Sequence, residues 1–422
     1  MLTIKYKAMK TLSIITAIVL GVFATNGALA EKPESTYFHL ASNAKYYKTS
    51  FTMASHLVVL PFSINGSDSL NLIFDTGVGR TLITDLPNPN AVSFSNVRRV
   101  RIKGLGNNEG VEGYLSDGND LSLGKLNGQQ QQVLVVPNNV IDLSAKVGYR
   151  VNGAIGQSIF EKFIVEINYD THTAQFHNPK EFRKRLKRNE EVIPLELING
   201  KPYVTAIVTV NGKQIPVKLL FDTGMSFALW LDPNSNEAIT PGALQQKDVL
   251  GHGLSGELTG TVSRIEKFQL GSFEFNNVVT AFPDSSSIGE ATRYNNRNGS
   301  IGAELFRRFN VIIDYSNQRL ILRKNGHYKE PFRYDMSGMD VSPILPGLPL
   351  YRIAVVKDNS PAQQAGLRVN DELYSINGVL TQKMTLHKIT TMLKKKSGKT
   401  IRIQVYRNGE LVKAKFKLRE MV

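Results

Sequence analysis

The chain has 422 residues, 41% of them hydrophobic, and no cysteine. That composition suits a globular protein of two or three domains and excludes disorder of the whole. The missing cysteine excludes disulfides, thiolate nucleophiles and Cys-type zinc or iron–sulfur sites, while the net charge of +15 raises the question of an anionic partner.

Residues 1–30 read as a bacterial secretory signal, with a basic start, the apolar stretch TLSIITAIVLGVFA and a small-residue end at Ala28-Leu29-Ala30. Its apolar core, about 15 residues, falls short of the roughly 20 that a spanning helix needs. The expectation is therefore a mature chain starting at Glu31, secreted or periplasmic, with no transmembrane span after signal removal. Residues 31–54 form an N-terminal segment. From 55 to 179 short β-like runs alternate with glycine punctuation: HLVVLPFSING, LNLIFDTG, RRVRIKGLG, DLSLGKLNG, QVLVVP and FIVEINYD. A basic linker, 180–191, follows and carries KEFRKRLKR, read as a short exposed helix or coil. The same order of runs then returns over 192–327, as PYVTAIVTVNG, VKLLFDTG, GHGLSGELTG, IEKFQLGSFEF and FNVIIDYSNQRLIL. After a second linker, 328–337, the pattern changes. Residues 338–420 contain YRIAVV, SPAQQAGL, VNDELYSING, a helical TLHKITTMLKKK and two strands joined at an Asn-Gly turn. The basic residues are scattered, without an aromatic-interleaved stripe, so nucleic acid is not an expected partner; an anionic envelope surface fits the charge better.

One tetrapeptide organises this repeat. Phe-Asp-Thr-Gly closes an apolar run at Phe74–Gly77 and again at Phe221–Gly224, 147 residues later. A carboxylate at the end of a buried strand is costly unless it is partnered or has work to do. The lobe ends Ala154-Ile155-Gly156 and Ser300-Ile301-Gly302 repeat at a spacing of 146, so one indel separates two copies of a unit. If the copies face each other, like charges push one carboxyl up in pKa and leave the other low, which suits acid–base work on water. Gly77 and Gly224 let backbone N–H groups approach the carboxylates, and Thr76 and Thr223 can tie the two loops together. The glycine-rich hairpins at Gly104, Gly106 and Tyr114, and at Gly251, His252 and Gly253, are candidate flaps. Trp230 is read as core. No HExxH-type cluster occurs, and neither metal nor cofactor is expected.

The doubled hydrophobic-Asp-Thr-Gly, each followed by a glycine-rich hairpin and a hydrophobic-Gly lobe end, resembles the retropepsin-like and pepsin-like aspartic proteases. The third domain, with SPAQQAGL and NDELYSING, resembles bacterial PDZ domains. The resemblance implies a mainly β fold, two homologous aspartic-protease lobes in one chain plus a C-terminal PDZ domain. It implies an aspartic endopeptidase whose catalytic pair is Asp75 and Asp222. Tyr114 would cap the cleft. Peptide or protein segments would be the partners, the PDZ domain holding them beside the helix containing His387 with Gly347-Leu348-Pro349-Leu350 as its carboxylate loop. With both halves in one chain, an oligomer is not required. Where the family usually carries Ala or Ser after Asp-Thr-Gly, this chain has Val78 and Met225. The departure feeds the alternative of a non-catalytic peptide-binding protein of the same fold. It also predicts a dyad whose upper pKa lies high, because no hydroxyl supports the charged form.

Overall fold

The computed structural model describes residues 17–18, 22–23, 37–41, 44–88, 90–106, 110–137, 143–288, 296–345 and 348–422. They fall into two compact units, one running to Phe332 and taking in Val422, the other spanning Arg333–Met421. Among the described residues no helix is long and apolar enough to cross a membrane.

Within the first unit the sequence repeat becomes a repeat of topology. In one lobe the strands lie in the order Val97–Gly104, Val111–Leu123, Leu126–Val135, Thr81–Ile83, Gly153–Gly156, Leu70–Asp75, Leu57–Ile64 and Thr52–Ala54. In the other the order is Gln245–Gly253, Gly256–Leu270, Phe273–Pro283, Leu229–Leu231, Gly299–Gly302, Lys213–Asp222, Lys201–Val210 and Glu196–Ile198. The eight positions correspond strand for strand. Each sheet curls shut, through Leu121 opposite Ile64 in one lobe and Phe268 opposite Val208 in the other. Alternating residues fill each barrel with Val, Ile and Leu, as period-two strands require.

FIVEINYD and FNVIIDYS, expected inside their own lobes, instead pair with each other. Val165 stands opposite Ile313 and Ile167 opposite Val311 at the centre of a six-stranded antiparallel sheet. Its outer strands are Tyr46–Ser50, which precedes residue 55, and Glu190–Pro194, which includes the end of the expected linker. Strand pairing over such sequence distances leaves no local signal, and this shared sheet is what sets the two lobes face to face. The basic stretch before it is not a helix. Glu190 gathers it instead, accepting from Lys184 Nζ at 2.7 Å and from the Lys187 N–H at 2.9 Å.

The second unit has its own core, including Val341, Ile353, Leu373, Ile389 and Ile403. Its strands run in the order Met339–Pro343, Tyr351–Val356, Glu372–Ile376, Thr400–Arg407 and Glu410–Lys417. The last two are joined at Asn408-Gly409, both with positive φ (52° and 83°), the requirement of a tight hairpin turn. Thr385 caps the helix Leu386–Leu393 by accepting from the Lys388 N–H.

Candidate active site

The two aspartates end equivalent strands. Asp75 lies opposite Gly156 and Asp222 opposite Gly302, each on the parallel lobe-end strand behind it. A Cβ at Gly156 would strike the Asp75 carbonyl, which is why the lobe ends close on glycine. The two loops are locked by a symmetric exchange between buried threonines. Thr76 Oγ donates to the Phe221 carbonyl at 2.6 Å and accepts from the Thr223 N–H at 3.1 Å. Thr223 Oγ donates to the Phe74 carbonyl at 2.8 Å and accepts from the Thr76 N–H at 3.0 Å. Every hydroxyl is thus both donor and acceptor, and the carboxyls they frame lie within hydrogen-bonding reach of each other.

Each carboxylate accepts from the glycine two residues on, Asp75 Oδ1 from Gly77 at 2.6 Å and Asp222 Oδ1 from Gly224 at 3.0 Å. A Cβ at Gly224 would run into the Asp75 carboxyl. Burial pushes Asp75 well above the usual carboxylate range, and the charge of Asp222 pushes the same way. Burial also raises Asp222, but the Arg297 guanidinium, the Gly224 N–H and the Lys201 ammonium all pull against it. Val78 and Met225 are both fully buried, Val78 in a cluster with Leu82, Val136 and Ala303. The high titration of the pair therefore has burial as its first cause. Lys201 and Arg297, which the sequence reading missed, are the groups that oppose it.

The two hairpins read as flaps meet at their tips. The Ser255 N–H donates to the Leu105 carbonyl at 3.0 Å, the Gly104 N–H to Ser255 Oγ at 3.0 Å, and the Gly106 N–H to the Ser287 carbonyl at 3.0 Å. Leu254, at the second tip, sinks into the first lobe's cluster beside Val78. A Cβ at Gly253 would overlap the Leu105 carbonyl, and one at Gly106 the Ser255 backbone, so both glycines are required for the tips to interlock. Gly251 and His252 lie on the second flap's outer strand, where His252 stands opposite Glu257, its Nε2 3.7 Å from the carboxylate. The outer edges of both flaps each carry a short strand: Ala17–Ile18 runs parallel to Gly251 and His252, and Val22–Phe23 antiparallel to Gly104 and Lys103. Tyr114 does not cap the cleft. It alternates with the buried Gly113 and Leu115, so its ring faces solvent, 39% exposed. Trp230 is buried.

In the second unit the edge strand is Met339–Pro343, with the helix Leu386–Leu393 packed beside it and His387 exposed in that helix's first turn. Leu348, Pro349 and Leu350 belong to the connection after this strand, where the Ile344 N–H bonds the Leu350 carbonyl; Gly347 lies outside the described residues. The segment that enters the edge strand is Asp335–Gly338. Its amides already hold a carboxylate, because Asp335 accepts from the Ser337 N–H and from the Gly338 N–H at 2.6 Å. Among the described residues no group of three His, Asp or Glu side chains is placed to hold a metal ion.

Residues 206–305 match the family model described as aspartyl protease, and residues 352–407 match that of the PDZ domain. The first match takes in Asp222, and the topological repeat ties the other lobe to it. No curated protein matches the chain. Among solved structures, the crystal structure of aspartic proteinase from Irpex lacteus is similar with a TM-score of 0.43 and 10% identity, over 68% of this chain and 99% of that one. The chain carries an aspartyl protease domain and a C-terminal PDZ domain.

Proposed function

We propose that the protein is a secreted or periplasmic aspartic endopeptidase in which Asp75 and Asp222 activate a water molecule. The observation that carries this reading is the pair itself: two buried carboxyls, hydroxyl-locked loops around them, and one carboxyl held far above its usual range. At working pH one carboxyl is ionised and the other protonated. The ionised one takes a proton from water as the water oxygen attacks the scissile carbonyl carbon. The protonated one gives its proton to the carbonyl oxygen, and the resulting diol collapses with proton transfer to the leaving nitrogen. Both flap edges accept an added strand, as Ala17–Ile18 and Val22–Phe23 illustrate, so a peptide would be held by strand addition. The PDZ unit would hold a further extended segment along Met339–Pro343.

The test is cleavage of a random peptide pool by the protein beginning at Glu31, with and without a statine-type transition-state mimic. Asp75→Asn and Asp222→Asn should each lower turnover by at least about a thousandfold while leaving the circular dichroism spectrum unchanged. Retained turnover in either variant overturns the dyad reading. Peptide binding without cleavage in the unaltered protein favours the non-catalytic alternative.

A further inference from the structure

The two lobes share a topology but not an electrostatic setting. Tyr203 pairs with Leu220 at the end of the ladder, and its register carried two residues on sets Lys201 level with Asp222, with which its ammonium interacts. In the first lobe Val59 pairs with Ile73, and the same step in register sets Leu57 level with Asp75. Cross-strand partners share a face, so Lys201 lies on the face of its aspartate, where Leu57 lies in the other lobe. A second replacement sits on the strand behind. Asn152 and Asn298 are equivalent, each taking the N–H of the aspartate strand, from Asn71 and Lys218, on its side-chain oxygen at 2.9 Å. The residue before each is Val151 in the first lobe and Arg297 in the second. Arg297 is buried, 7% exposed, hydrogen-bonded to Tyr203, and within Coulombic reach of Asp222 and Asp232. Tyr203 itself replaces Val59. Three apolar positions of one lobe have thus become Lys, Tyr and Arg in the other: Arg297 acts on Asp222, Tyr203 bonds Arg297, and Lys201 reaches both aspartates, Asp222 the more strongly.

We propose that Lys201 and Arg297 are positioning residues that fix the negative charge of the dyad on Asp222 and the proton on Asp75. The inference rests on the dyad reading above and adds which carboxyl plays which part. Asp222 would be the base toward water and Asp75 the acid toward the carbonyl oxygen. The other charges are placed consistently. Asp75 faces Asp222 and Lys201; Asp222 faces Asp75, Arg297 and Lys201; Arg297 faces Tyr203, Asp222 and Asp232. Tyr315 feels the charges of Glu161 and of both aspartates, and burial above all holds its phenol well above the ordinary range and therefore neutral. Burial and Arg297 bring the Lys201 ammonium down to about 8, with Asp222 and Asp75 opposing, so Lys201 is still charged wherever the dyad is active on the acid side.

The first experiment titrates the unaltered protein by carboxyl carbon NMR of the full chain labelled at Asp, with Asp75→Asn and Asp222→Asn used only to assign the two signals. Asp222 should ionise at the lower pH; ionisation of Asp75 first overturns the proposal. The second is the pH profile of kcat/KM for Lys201→Met, with Lys201→Arg as the conservative variant and Leu57→Met as the equivalent change in the other lobe. In Lys201→Met the acid limb should move up by about one pH unit, the shift expected of a lost neighbouring cation. Lys201→Arg should restore it, and Leu57→Met should leave it in place. Lower activity at every pH with the limb unmoved would mean that Lys201 only supports the fold, and would overturn the proposal. If the Asn variants keep their turnover, the dyad reading has failed instead, and the NMR titration still reports which aspartate is charged.

Discussion

Thr76 and Thr223 each join the two lobes by one donated and one accepted hydrogen bond, all four groups buried. Thr76→Val keeps the shape but leaves the Phe221 carbonyl and the Thr223 N–H without partners. At roughly 1–3 kcal/mol for each orphaned buried group, the variant should lose about 2–6 kcal/mol in a denaturant titration, and Thr76→Ser much less. Equal midpoints for Val and wild type would show that the exchange adds nothing to lobe pairing. The aspartates themselves work against stability. Asp75 titrates far above its unfolded value because it is buried beside Asp222. Stability linked to this group is present in full below the ordinary carboxylate range and is lost as pH rises toward its folded value. Asp75→Asn removes that loss, so at neutral pH the variant should melt at or above the wild-type temperature, the advantage shrinking toward pH 4. A variant that melts lower at neutral pH and equally at pH 4 would contradict this sign. Asp314 carries the opposite sign. Its fully buried carboxylate accepts from Ser316, Asn317 and Arg319, which together hold it below the usual range, so its contribution is lost as pH falls through that range.

At the scale of elements, the flaps close only because glycine stands where backbones nearly touch. Gly253→Ala places a methyl on the Leu105 carbonyl. The tips must then separate, and the expected result is a fall in kcat/KM of about tenfold or more for a lost closure geometry, with an unchanged melting temperature. A melting temperature that falls in step with activity would instead mark the tip as part of the core, where Leu254 already sits. How far this could be read from sequence depends on how local each signal is. Two Asp-Thr-Gly loops, two lobe ends and two glycine-rich hairpins are contiguous motifs, and they place the dyad, the threonine exchange and the flaps. Tyr114 was misread because the face of a strand is decided by neighbours such as Arg99 and Val135. Lys201 was missed for a related reason. Aligning the Asn-Gly turns at Asn65 and Asn211 matches Leu57 with Tyr203, yet both neighbouring strands match Leu57 with Lys201. The connection after Ile64 is longer than the tight turn after Val210, and that difference slides the register.

On the proposed reading, one chain joins a peptide-cleaving unit to a second unit with an edge strand of its own. The Arg333–Met421 unit has a self-contained core, and its Asp371 is clamped by Arg407 through two bonds of 2.7 Å, so its fold does not depend on peptide. At the entrance to the edge strand, Asp335 already occupies the amides that could receive a chain's terminal carboxylate. Peptides should therefore bind along Met339–Pro343 through their interior, and a C-terminal amide should bind as well as a free acid in a fluorescence anisotropy titration. Clear preference for the free acid would mean that Asp335 yields its place. Short and long substrates should then depend differently on this unit. A peptide that fills only the cleft gains nothing from a second site, whereas a long chain held at both is returned to the cleft at a raised local concentration. Deleting residues 333–422 should leave kcat/KM for short peptides nearly unchanged and raise KM for long or unfolded protein substrates by roughly tenfold or more. An equal loss on both substrate classes, with the remaining chain less stable in a melting experiment, would assign the unit to the scaffold and not to substrate capture.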